Sequence, residues 1–125
     1  MIFSAMLAVS LQAAPVPAAP PATTPANPTA QLSLEQRTAL RCAAAFALGA
    51  EAQARGDPQA ANLPTLAQRG REYFVRLSAR IMDDTGLPRG AVAAALVTEA
   101  EQLVSRDERH SAVPPCLVLL DAAGL

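Results

Sequence analysis

The chain holds a single imidazole, His110, in Arg109-His110-Ser111. General-base chemistry there would need a nucleophile and an orienting acid close by. Ser111 is adjacent in sequence, which does not make a triad. The acid would have to be brought in by the fold, with Glu99 or Asp107 as candidates. A histidine near a helix carboxy-terminus also interacts favourably with the helix dipole, which is a structural role. Two carboxylate pairs, Asp83-Asp84 and Glu99 with Glu101, lie one and two residues apart. Such positions do not share a helical face, so neither pair is an acid/base dyad by itself. Gly70, Gly86 and Gly90 are isolated, and no lysine accompanies them as a phosphate-binding loop requires. No catalytic residue, metal site or cofactor is therefore expected.

Two further groups carry chemistry of another kind. Cys42 and Cys116 are the only cysteines. Neither has the C-x-x-C neighbour of a redox or zinc motif. In an exported domain of this size they read as a disulfide closing a loop of roughly 75 residues, worth about 4 kcal/mol by chain entropy. Arg69, Arg76 and Arg80, with Arg71 nearby, form the most concentrated polar feature and a candidate interaction face for an acidic partner or anionic polymer. The simpler reading is a solvated stripe neutralised by Glu72 and Asp83. Tyr73-Phe74 beside these arginines could stack on a ligand, but at helical spacing Phe74 reads as core.

These residues sit in a chain of 125, long enough for one domain. Half the composition is hydrophobic, yet much of that is alanine and only 3% is aromatic. The core must rest on Leu, Val, Ile and three Phe. Net charge is −1, all ten cations are arginine, and no basic run occurs, so the footprint of a nucleic-acid binder is missing. Ile2 to Leu11 is apolar but too short to span a bilayer as a helix, which needs about 20 residues. It fits the hydrophobic part of a signal peptide ending near Ala13 or Ala14, although no cation precedes it. Pro15 to Gln31 (PVPAAPPATTPANPTAQ) favours polyproline-like extension. The expected organisation is a signal peptide over 1–14, a Pro/Ala/Thr-rich disordered linker over 15–32 and a helical domain over 33–125.

Within that domain Ser33 and Gln36 have the spacing of a capping box, predicting a first helix from about Leu34 to Arg55 and ending at Gly56-Asp57-Pro58. A second helix is expected from about Pro64 to Thr85, with Leu66, Gly70, Phe74 (with Tyr73), Leu77 and Ile81 as its buried stripe. A third is expected from Pro88 to Arg109. Its apolar arc would be Val92, Ala93, Leu96, Val97, Ala100, Leu103 and Val104, with Asp107-Glu108 as its solvated end. His110 to Val113 then turns, and Pro114-Pro115 opens a short fourth helix over Pro115 to Ala123.

The sequence thus predicts an all-α fold: a small four-helix bundle, three longer helices and a short carboxy-terminal one, stapled by Cys42–Cys116. In architecture alone this is similar to small periplasmic acid-stress chaperones, an analogy that carries no function. The expected role is a periplasmic or secreted, non-enzymatic binding or interaction module. Its partner would be an envelope protein or ligand, with no nucleic acid and no stable transmembrane helix. The alternatives are a small hydrolase-like enzyme using His110 with a nearby carboxylate, and a membrane-tethered protein with an uncleaved amino-terminal segment.

Overall fold

The computed structural model describes residues 13–15, 27–103 and 105–125, with Arg106 described by its backbone only. The apolar run and most of the Pro-rich stretch lie outside the described residues. Four α-helices follow in order: α1 (Leu34–Ala54), α2 (Ala67–Thr85), α3 (Arg89–Gln102) and α4 (Arg106–Ala122). Short 3-10 turns at Pro28–Gln31 and Pro58–Ala60 precede and follow α1. Among the described residues there is no strand.

α1 starts where its capping signal places it. Ser33 Oγ accepts from the Gln36 N–H at 3.0 Å, and the Gln36 side chain accepts from the Ser33 N–H at 2.9 Å. Each such cap is worth about 1 kcal/mol. The turn at Pro28–Gln31 packs on α3, and Leu32 is buried in the core.

α2 begins three residues later than the proline signal at Pro64 predicts. The cause is Gln53, half-buried near the end of α1. Its amide nitrogen donates to the Leu63 and Pro64 carbonyls at 3.2 and 2.8 Å, and its oxygen accepts from the Leu66 N–H at 3.1 Å. These bonds hold residues 63–66 as an ordered loop rather than a first helical turn. The buried stripe of α2 is Leu66, Gly70, Tyr73, Leu77 and Ile81. Of the expected Tyr73–Phe74 pair, Tyr73 is buried and Phe74 is only partly buried.

The larger departure is at α3 and α4. The third helix stops at Gln102, and Ser105 starts a new one with a second capping box, Ser105 with Glu108. Asp107 and Glu108 are therefore the acidic first turn of α4 rather than a solvated end of α3. Helix α4 then runs through Pro114 and Pro115 without ending. Proline cannot bond the carbonyl four residues back, here those of His110 and Ser111. Both prolines and both of those residues are exposed, so water can hydrate the orphaned carbonyls. The carboxy-terminal helix is consequently longer than α3, not short.

The inward face of α3 is also rotated from the expected arc. Ala91, Val92, Ala95 and Glu99 are buried, whereas Ala93 and Val97 are exposed. Alanine gives little preference between two faces. Val104, the last residue of the expected arc, lies outside the described residues.

α1 is the central element: α2, α3 and α4 all pack on it, while α2 and α4 touch each other only sparsely. Phe46, Leu40, Leu66, Ile81, Leu103, Leu120, Val92 and Val113 are fully buried. Each such side chain contributes about 1.5–3 kcal/mol of transfer free energy. Phe46 and Tyr73 meet edge to face, with ring centroids 5.4 Å apart. Cys42 of α1 and Cys116 of α4 form the disulfide, with Cα atoms 5.3 Å apart and both residues buried.

Candidate functional site

The sparse contact between α2 and α4 leaves a groove over the first turns of α1. Its volume is about 890 Å³. Ala39 of α1, Tyr73, Leu77 and Ile81 of α2, and Leu119, Ala122 and Ala123 of α4 form its apolar lining. Leu34, 72% exposed, stands at the mouth. Arg76 and Arg80 rise from the α2 wall, with Glu35 and Asp84 also at the rim. The elements place these groups simply. The α2 stripe turns Tyr73, Leu77 and Ile81 inward, and their neighbours one turn apart, Arg76 and Arg80, stand beside them at the edge.

The arginines of the candidate face are engaged differently. Arg69 donates to the Asp121 carboxylate at 3.2 Å and to the Leu125 backbone oxygen, holding the end of the chain onto α2. Arg76 pairs with Glu72 and donates to the Ala123 carbonyl at 3.2 Å, closing one end of the groove. Arg80 makes no hydrogen bond or ion pair within the described residues. Burial pushes the Tyr73 phenol above its ordinary pKa of 10.0, and Arg80 draws it partly back. Of the three arginines, Arg76 and Arg80 line the groove and Arg69 does not.

His110 lies elsewhere, exposed on α4 at a smaller cavity of about 150 Å³. That cavity also holds Glu51, Arg55, Asp57 and Arg109, over an apolar base of Leu48, Gly49, Ala60, Leu63 and Val113. Neither Glu99 nor Asp107 lines it. Glu99 is buried on α3 and Asp107 is exposed on the first turn of α4. The fold thus offers His110 different carboxylates from those the sequence pointed to. Among the described residues no ion pair involves His110, and Glu51 is paired with Arg55 at 3.9 Å. No group of three or more His, Cys, Asp or Glu among the described residues is placed to hold a metal. No described helix is long and apolar enough to cross a membrane.

Sequence reasoning missed the groove. Leu34, Ala39, Leu119, Ala122 and Ala123 carry no motif, and what joins them is the spacing of three helices. Only the fold shows that Leu34 and Leu119 are large apolar residues left outside the core, 72% and 37% exposed. No protein-family model, curated protein or solved structure matches this chain.

Proposed function

We propose that this chain is an exported, non-enzymatic binding module of the cell envelope whose partner or ligand seats in the groove between α1, α2 and α4. The observation that carries the reading is the groove itself. At about 890 Å³ it lies in the range of ligand-binding clefts, with an apolar lining and a few charged groups at the rim. Export is supported by the buried Cys42–Cys116 disulfide, which persists in oxidising compartments, and by the apolar run near the amino-terminus.

Two measurements test the two halves. Intact mass of the protein from the envelope fraction should correspond to a chain starting near Pro15 and lacking two hydrogens. A cytosolic protein retaining Met1, with two free thiols, contradicts export. An anilinonaphthalene sulfonate dye should gain fluorescence on the native protein, and Leu119→Glu should abolish the gain while leaving the thermal midpoint unchanged. Equal dye binding by the wild type and Leu119→Glu contradicts the groove as the site.

A further inference from the structure

The disulfide lies one helical turn from the groove, and this step rests on the groove being the binding site. We propose that the Cys42–Cys116 bond sets the α4 wall of the groove, so that ligand binding is linked to the redox state of the pair. The oxidised chain binds, and the reduced chain holds the same ligand more weakly. Ala39 of the groove stands three residues before Cys42 on α1, and Leu119 stands three residues after Cys116 on α4. Residues three apart on a helix are neighbours on its surface. The bond therefore joins the α1 floor to the α4 wall a single turn from the residues that line them.

Little else fixes that wall. Helices α1, α2 and α3 pack on one another, whereas α4 packs on α1, touches α2 sparsely and makes no comparable contact with α3. It is the helix that opens at least cost once the bond is gone. Val113 and Leu120 bury its inner stripe, but the hydrophobic effect is non-directional and does not hold a helix in one rotation. Arg69 to Asp121 and Arg76 to the Ala123 carbonyl bridge α2 and α4 at the exposed edge, where such bonds are weak. Reduction by a dithiol passes two electrons and two protons to Cys42 and Cys116 and leaves the reductant as its own disulfide. The Cα atoms, 5.3 Å apart in the bonded pair, can then separate, and Leu119, Ala122 and Ala123 move with α4. Both cysteines are buried, so the exchange requires α4 to open, and a ligand seated between α4 and its neighbours opposes it. Binding competence is thus acquired on oxidation, which the proposed export provides.

Tyr73 lines the groove and reports occupancy, because the chain has one tyrosine and no tryptophan. The probe is sodium dodecanoate, titrated while Tyr73 fluorescence is followed. The oxidised protein should bind it, and the dithiothreitol-reduced protein should bind it about tenfold more weakly, within the usual range of coupling between two sites. Reciprocity then requires saturating dodecanoate to lower the reduction potential of the pair by about 30 mV. That shift is read from the thiol fraction, by alkylation and mass, in dithiothreitol buffers of graded ratio. Leu119→Glu should erase it, which a bond serving stability alone would not predict. Hydrogen exchange of the reduced chain should quicken along α4 while α1, α2 and α3 stay protected. Equal affinity of the oxidised and reduced protein, or a potential that bound dodecanoate does not move, overturns the linkage and leaves the groove reading standing. Loss of protection throughout the chain on reduction also overturns it, because the bond then serves the whole fold rather than the α4 wall. If neither dodecanoate nor the anilinonaphthalene sulfonate dye binds the oxidised protein, the groove reading and the linkage fail together.

Discussion

A Cβ added at Gly70 would stand 2.8 Å from the Cβ of Phe46, an atom fixed by the α1 backbone. Helix propensity favours alanine there by about 1 kcal/mol, but overpacking of this kind costs about 1–3 kcal/mol. Gly70→Ala is therefore expected to lower stability in urea unfolding, whereas Gly90→Ala, with nothing within 4 Å of the new atom, is expected to raise it slightly. Stabilisation by Gly70→Ala would mean that α1 and α2 are not in close contact at this crossing. Tyr73 supplies the second test at this scale. Its folded pKa is raised above 10.0 by burial, so the fold favours the neutral phenol. That contribution is fully present below pH 10 and is lost as pH rises through the raised value. Phenolate absorbance should appear at higher pH than for free tyrosine, and Tyr73→Phe should flatten the alkaline loss of stability. A phenolate titration at or below pH 10 would contradict the burial of this ring.

At the scale of elements, α4 holds the least expected feature. Pro114 and Pro115 lie in its interior, where proline is about 3 kcal/mol less favourable than alanine. Part of that is offset because proline also restricts the unfolded chain, by up to about 1 kcal/mol. Pro114→Ala and Pro115→Ala are each expected to raise stability by about 1–2 kcal/mol, measured by denaturant midpoint. No gain would mean that the helix does not run through this pair. The sequence makes the start of α4 legible after all: Ser105 and Glu108 repeat the spacing of Ser33 and Gln36 that correctly marks the start of α1. The prolines draw attention away from that signal, because their rule against helix interiors is strong and their exposure is set only by the fold. The face of α3 is a different case. With alanines on most sides, periodicity does not choose which side packs on α1. The stripe of α2 was legible because Leu66, Gly70, Leu77 and Ile81 contrast with the arginines beside them.

For the whole molecule, the disulfide joins the first and last helices across a sequence separation of 74. Its pairing was readable because the chain has only two cysteines, and α1 and α4 pack as that pairing requires. Cys42→Ser with Cys116→Ser is expected to lower stability by about 2–4 kcal/mol, and an unchanged melting temperature would make the bond incidental to the fold. The groove was not readable from sequence, because a gap between helices is set by their arrangement and leaves no pattern in any one of them. The groove is also the proposed binding site. Amide chemical shifts of the oxidised protein, followed while an apolar anionic dye is added, test it most directly. Shifts are expected to gather at Ala39, Tyr73, Leu77, Leu119 and Ala123, with the cavity around His110 unmoved. Shifts gathered at Glu51, Asp57, Arg109 and His110 instead would contradict it.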